Sequence, residues 1–227
     1  MSMLLEREKQ ERVVRIPIGD ITLEGNLSLP EASSGIVLFA HGSGSSRKSP
    51  RNRFVAEALQ SEGLGTLLLD LLTPEEEALD MRTGHLRFDI ELLSERLLQA
   101  AQWLSTHPDT KGQGIGYFGA STGAAAALMS AAMKPDLVRA VVSRGGRPDL
   151  AGKYLSTVQA PTLLIVGGRD TLVEDLNRDA LSLLSGEKKM EIIPWATHLF
   201  EEPGALEDVA RLAGNWFLRH LATSRTP

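Results

Sequence analysis

The stretch Ile115-Gly116-Tyr117-Phe118-Gly119-Ala120-Ser121-Thr122-Gly123-Ala124-Ala125-Ala126-Ala127 decides the fold. Ile115 to Phe118 is a short apolar run. Thr122 to Met133 is rich in alanine, a strong helix former whose small profile suits close packing on a sheet. Between the two stands Gly119-x-Ser121-x-Gly123, a G-x-S-x-G pattern in the strand–turn–helix context where it carries meaning. The glycines remove side chains that would clash with the neighbouring strand and helix. Ser121 is then held on a strained backbone with its hydroxyl above the sheet, beside a helix start whose N–H groups favour negative charge.

Similar runs lie on both sides of this turn. Ile36 to Ala40, Leu67 to Leu69, Ala140 to Val142 and Leu163 to Val166 are continuously apolar, as parallel strands covered on both faces must be. Met190 to Pro194 reads as a further strand. Helical periodicity falls between them: Phe54 to Leu59, Phe88 to Leu104 (ended by His107-Pro108), Leu172 to Leu184 and Leu206 to Leu221. Such alternation predicts an α/β fold with a mostly parallel sheet. Glu11 to Ile18 and Ile21 to Leu29 instead alternate with period two around Gly19-Asp20, which predicts an N-terminal antiparallel hairpin. No repeat, linker or composition break interrupts residues 1–227, so a single domain is expected.

Composition narrows the function. With 42% hydrophobic and 23% charged residues the chain is ordinary globular protein. It has no cysteine, which excludes disulfides, thiolate metal sites, iron–sulfur clusters and a cysteine nucleophile, and fits a reducing compartment. Net charge is −5 and the Lys and Arg residues are scattered, so no nucleic-acid footprint is visible. Met1 to Arg15 is charged and lacks a signal-type apolar core. The most apolar long stretch, Gly123 to Met133, falls short of the roughly 20 residues that span a bilayer. The expectation is a soluble cytoplasmic protein acting on a small molecule, with no nucleic-acid or membrane partner. Oligomeric state is not legible.

A serine nucleophile needs a base, and the base an orienting carboxylate. His198 follows the strand Met190 to Pro194, at the sheet edge where α/β folds bind ligands. Asp170 closes Val166-Gly167-Gly168-Arg169-Asp170 just past an apolar strand, and the order Ser, Asp, His matches α/β-hydrolases. Its bland alternative is the N-cap of the next helix; Glu174 and Asp175 lie inside that helix. His41 is expected to pack beside the site, and His85, His107 and His220 to face solvent or end helices. Acyl transfer also needs oxyanion donors. The Thr122 N–H is one candidate and the Ser43 N–H the other, with Gly42 and Gly44 as alternatives. Gly42 to Ser49 comes near a P-loop, but Arg47 replaces the glycine before Lys48, and both cations read as solvated.

With these residues in place the chain resembles the α/β-hydrolase superfamily, and within it small serine hydrolases related to dienelactone hydrolase, over residues 12–221. The resemblance rests on His41-Gly42-Ser43-Gly44, Gly119-Ala120-Ser121-Thr122-Gly123, Gly168-Arg169-Asp170 with Val173, and Thr197-His198. It implies the α/β-hydrolase fold, an eight-stranded and mostly parallel sheet with helices on both faces. It implies a triad of Ser121, Asp170 and His198 with no metal or organic cofactor. Dienelactone hydrolases carry cysteine at the elbow where this chain has Ser121, so their substrate is not carried over. The stretch between Val142 and Pro161 is too short for a large cap domain. Leu71 to Arg87, with Glu75, Glu76 and Glu77, forms either a partial rim or a solvated acidic loop. Arg144, Arg147 and Arg82 either bind an anionic substrate or make surface salt bridges. The expected activity is hydrolysis of a small soluble ester or related acyl compound through an acyl-enzyme on Ser121. A non-catalytic binding protein on the same fold and an acyltransferase are the alternatives.

Overall fold

The computed structural model describes residues 11–221. Residues 1–10, on which the reading of the charged N-terminus partly rests, lie outside them. A single sheet contains β1 (Glu11–Ile18), β2 (Ile21–Ser28), β3 (Ile36–Ala40), β4 (Gly65–Leu69), β5 (Ile115–Ala120), β6 (Val138–Arg144), β7 (Thr162–Gly167) and β8 (Lys188–Ile193). The strand order is β1-β2-β4-β3-β5-β6-β7-β8. β1, β2 and β4 pair antiparallel; β4-β3-β5-β6-β7-β8 pair parallel. The hairpin between β1 and β2 turns at Gly19, whose φ of 57° suits glycine.

The continuous apolar runs are explained by cover on both faces. On one face Phe39, Phe118, Val142 and Ile165 meet α1 (Pro50–Ser61) and α6 (Ala205–Leu221) through Val55, Leu59, Val209 and Phe217. On the other, Leu38, Tyr117, Val141 and Leu164 meet α3 (Ile90–Thr106), α4 (Thr122–Met133) and α5 (Thr171–Leu183) through Leu97, Leu104, Ala126, Leu128 and Ala180. Each large apolar side chain so buried contributes about 1.5–3 kcal/mol. α4 is covered almost all round, which its alanines allow.

β3 leads to β4 on one side, and the chain later returns to β5 on the other. The switch point therefore lies between β3 and β5, at the carboxyl edge where open α/β sheets bind ligands. The loops after these two strands carry Ser43 and Ser121. No cap domain stands between β6 and β7, where residues 148–157 form short 3-10 turns. Among the described residues no helix is long and apolar enough to cross a membrane.

Two local readings need correction. Part of the segment after β4 is a helix, α2 (Pro74–Thr83), rather than a solvated loop. It has no apolar stripe, and Asp80 is its buried residue. Polar contacts hold it: a capping box between Thr73 and Glu76, a two-pronged pair of Glu76 with Arg96 at 2.7 and 2.6 Å, and an ion pair of Asp80 with Arg87 at 2.5 Å. Arg47 is not solvated either. It ion-pairs with Asp70, reaches Glu24 at 2.8 Å and donates to Asn26 Oδ1 at 2.9 Å, tying the loop after β3 to β2 and β4. Those partners come from distant sequence, so no local signal marked them.

Candidate active site

Ser121 has φ 51° and ψ −121°, a region that side chains other than glycine avoid. Packing enforces this strain. A Cβ on Gly119 would collide with Ala124, and one on Gly123 with the carbonyls of Ala40 and His41. α4 can therefore press against the ends of β3 and β5 only because both positions are glycine. Hydrogen bonds lock the turn: the Ser121 N–H donates to the Arg144 carbonyl at 3.3 Å, and the Arg147 N–H to the Ser121 carbonyl at 3.1 Å.

The Asp170 and His198 loops are brought together in the same way. Gly167 and Gly168 sit where a Cβ would strike the backbone of residues 194–197. The Gly168 N–H donates to the Ile193 carbonyl at 2.9 Å and the Arg169 N–H to the Ala196 carbonyl at 3.0 Å. Asp170 stands at the N-cap of α5 yet makes no capping hydrogen bond. Its Oδ2 accepts instead from His198 Nδ1 at 2.6 Å. The His198 loop is pinned by buried Phe200, at φ 56°, and by a Thr197 N–H bond to Glu202 Oε1 at 3.0 Å. The Thr197 side chain, and to a lesser extent backbone N–H groups, hold Glu202 below the usual carboxylate range.

The turn after β6 lies between the serine and the histidine. A Cβ on Gly145 would come within 3.6 Å of His198 Nδ1, while its neighbours Arg144 and Arg147 hold Ser121. Among the described residues Ser121 hydrogen-bonds through its backbone, and its hydroxyl is not hydrogen-bonded to His198.

Thr122 opens α4, where the first backbone N–H groups have no intrahelical acceptor. The Ser43 N–H donates to Thr122 Oγ1 at 2.9 Å. Gly42 lies tight against the nucleophile turn, since a Cβ there would approach Ser121 Cβ to 3.0 Å. His41 anchors this loop. Its Nε2 accepts the Leu71 N–H at 3.2 Å while Nδ1 lies 2.9 Å from the Gly42 carbonyl, contacts that suit the Nδ1–H tautomer. A cleft of about 380 Å³ opens beside Ser43 and Thr122, walled by Leu71, Leu72, Met81, Arg87 and Leu93. The segment after β4 is thus a wall of this cleft.

The other candidates part ways. Arg147 is taken by Asp149 through bonds of 2.8 and 2.7 Å. Arg144 is buried rather than at the surface, and burial lowers its pKa to about 10, with Arg51 as its charged neighbour. His220, in the last turn of α6, is largely covered and lies 4.6 Å from the Trp216 ring; that burial lowers its pKa. Gly145, Phe200 and Glu202 are parts of the site that the sequence reading missed. Among the described residues no His, Asp and Glu side chains group as a metal site.

The model of the Dienelactone hydrolase family matches residues 23–216, which span this whole arrangement. The chain belongs to the dienelactone hydrolase family. A dienelactone hydrolase from Anabaena variabilis is 61% identical with a TM-score of 0.92, over 93% of this chain and 98% of that one. Est1E from Butyrivibrio proteoclasticus shares the fold at 16% identity and a TM-score of 0.77, over 93% and 99% of the two chains. Two Mycobacterium tuberculosis proteins provisionally named phosphoribosyl transferase are 57% identical over 93% of this chain. The chain spans 47% of their length. In this chain Ser121 stands at the turn between β5 and α4.

Proposed function

We propose that this chain is a serine hydrolase that cleaves a small ester or related acyl compound through an acyl-enzyme on Ser121. The observation that carries the reading is the Asp170–His198 hydrogen bond of 2.6 Å beside a strained Ser121. A helix-cap aspartate has no reason to leave its helix for an imidazole, whereas a triad requires it. Ser121 Oγ attacks the acyl carbon while His198 Nε2 takes its proton. Asp170 holds the Nδ1–H tautomer and stabilises the imidazolium. His198 then returns the proton to the leaving group, and water, deprotonated by the same histidine, releases the acid. The serine–histidine contact tightens when substrate binds, as such contacts commonly do.

The Thr122 N–H serves the tetrahedral oxyanion directly. The Ser43 N–H joins it once Thr122 Oγ1 gives way, a rotation about one side-chain bond. The cleft beside Thr122 is lined by Leu71, Leu72, Met81 and Leu93 and also by Asp70, Glu77, Asp80 and Arg87. It takes a small acyl or leaving group with both apolar and polar parts, and its volume lies in the range of small-molecule sites. The transferase name belongs to proteins about twice as long, and is not needed to explain any residue of this site.

The test is a panel of aryl esters graded in acyl length, run on wild type and Ser121→Ala with and without competing alcohols. Hydrolysis selective for short acyl groups and absent in the variant supports the reading. An unchanged rate in Ser121→Ala rejects it, and preferred transfer to the alcohol makes the chain an acyltransferase. No turnover of any ester, with the fold intact, favours a binding protein.

A further inference from the structure

Arg144 ends β6, and its carbonyl supports the Ser121 N–H. Its side chain is 8% exposed. Among the described residues its guanidinium nitrogens have no hydrogen-bond acceptor, and Nε and Nη1 are fully covered. Its charged neighbour is another cation, Arg51, in the first turn of α1. Arg51 is only partly matched: Nη1 donates to Glu201 Oε1 at 2.9 Å, while Nε is buried with no partner. The contrast within the molecule is clear. Arg47, Arg87, Arg96 and Arg147 each meet a carboxylate.

A buried guanidinium without a counter-charge is strongly unfavourable, and a second cation beside it makes matters worse. Burial lowers the Arg144 pKa only to about 10, so it stays charged at neutral pH. The dipole of α1 adds positive potential at the same end of the helix. Guanidinium groups are well matched to small anions. Two guanidiniums and one Glu201 carboxylate leave one positive charge to be neutralised.

We propose that Arg144 and Arg51 form a binding site for a small inorganic anion, between the end of β6, the start of α1 and the loop that carries His198. The anion reaches the two guanidiniums through Arg144 Nη2 and Arg51 Nη2, which among the described residues are neither fully covered nor hydrogen-bonded. Its position has a consequence for the neighbouring site. Arg144 steadies Ser121 through its carbonyl, and Arg51 steadies the His198 loop through Glu201. Occupancy links these two supports. The site does not depend on the acyl chemistry, and its test does not read activity.

The test is calorimetric titration of the full chain with chloride and, separately, phosphate, in zwitterionic buffer with ionic strength held by gluconate. Melting is followed in parallel. Wild type should bind one of the two saturably, with Tm rising roughly 5 °C at a hundredfold excess over Kd. Arg144→Met should abolish binding, Arg51→Gln should weaken it about tenfold, and Arg178→Gln on the outer face of α5 should leave it unchanged. Absence of saturable binding to wild type, or equal binding by Arg144→Met, overturns the proposal. If Arg144→Met does not fold, Arg51→Gln decides, because Arg51 is 31% exposed; unchanged affinity there overturns the two-arginine site.

Discussion

Asp170 occupies the N-cap of α5 but gives its carboxylate to His198, 2.6 Å away and 28 residues later in the chain. An aspartate at this position ordinarily bonds a backbone N–H of its own helix, which contributes ~1 kcal/mol. Here that contribution is forgone, and the imidazole gains an orientation. The relationship separates two roles for Asp170 that the sequence left open.

It also sets the expectation for Asp170→Asn. The amide keeps the shape but favours the wrong imidazole tautomer. kcat for an aryl ester should fall about 10³–10⁴-fold. Tm should change by no more than a few degrees, since no helix cap is lost. A variant within tenfold of wild type would mean that the pair is structural.

Thr122→Val addresses the Ser43 N–H. Valine keeps the branched shape and removes the hydroxyl that accepts that N–H at 2.9 Å. If the N–H serves the oxyanion, loss of a competing bond worth about 1 kcal/mol should hold kcat steady or raise it up to ~5-fold. A tenfold fall would make the hydroxyl an anchor for the loop.

Gly123→Ala should be far more damaging than Gly19→Ala. At residue 123 the added Cβ collides with the Ala40 and His41 carbonyls, so α4 must move off the sheet and carry Ser121 with it. Residue 19 has open space and only an unfavourable φ. Chemical denaturation should show a loss of roughly 3 kcal/mol or more at 123 and about 1 kcal/mol at 19.

The Glu76–Arg96 pair gives a pH test of α2. The Arg96 hydrogen bonds hold the Glu76 carboxyl below its ordinary value, outweighing the opposing effect of burial. A carboxylate depressed by folding stabilises the protein fully above its unfolded-state pKa, and this contribution is lost as pH falls through the lower folded-state value. Glu76→Gln should therefore be less stable than wild type at pH 7, by roughly 1–3 kcal/mol, and the gap should close as the solution is acidified below the ordinary glutamate range. Denaturation curves of both proteins across pH check this; a gap that does not change with pH would deny the ion pair its role.

The parts of this molecule that were legible from sequence are those where one physical demand dominates a local window. Ile36 to Ala40 and Leu163 to Val166 had to be doubly covered strands, and the Ala-rich run after Ser121 had to be a close-packed helix. Gly119 and Gly123 announced a close approach before its partners were known. α2 was not legible because polar contacts hold it in place of an apolar stripe. Its Glu76 answers to Arg96 on α3, and its Asp80 to Arg87 beyond the helix end. Arg144 misled for the opposite reason. Its charge suggests surface, yet it continues the buried register of β6 past Val142. In the site, Asp170 and His198 were marked by their position after strands, whereas Gly145 and Phe200 act through contacts that exist only once the loops meet.

The sharpest measurement is intact-mass and peptide analysis after incubation with a fluorophosphonate. A serine made nucleophilic by its neighbours should give one adduct, mapped to Ser121, at a rate that collapses in Asp170→Asn and His198→Ala. Folded wild-type protein that takes up no label, or that is labelled just as fast without His198, would contradict a nucleophilic Ser121 served by that histidine.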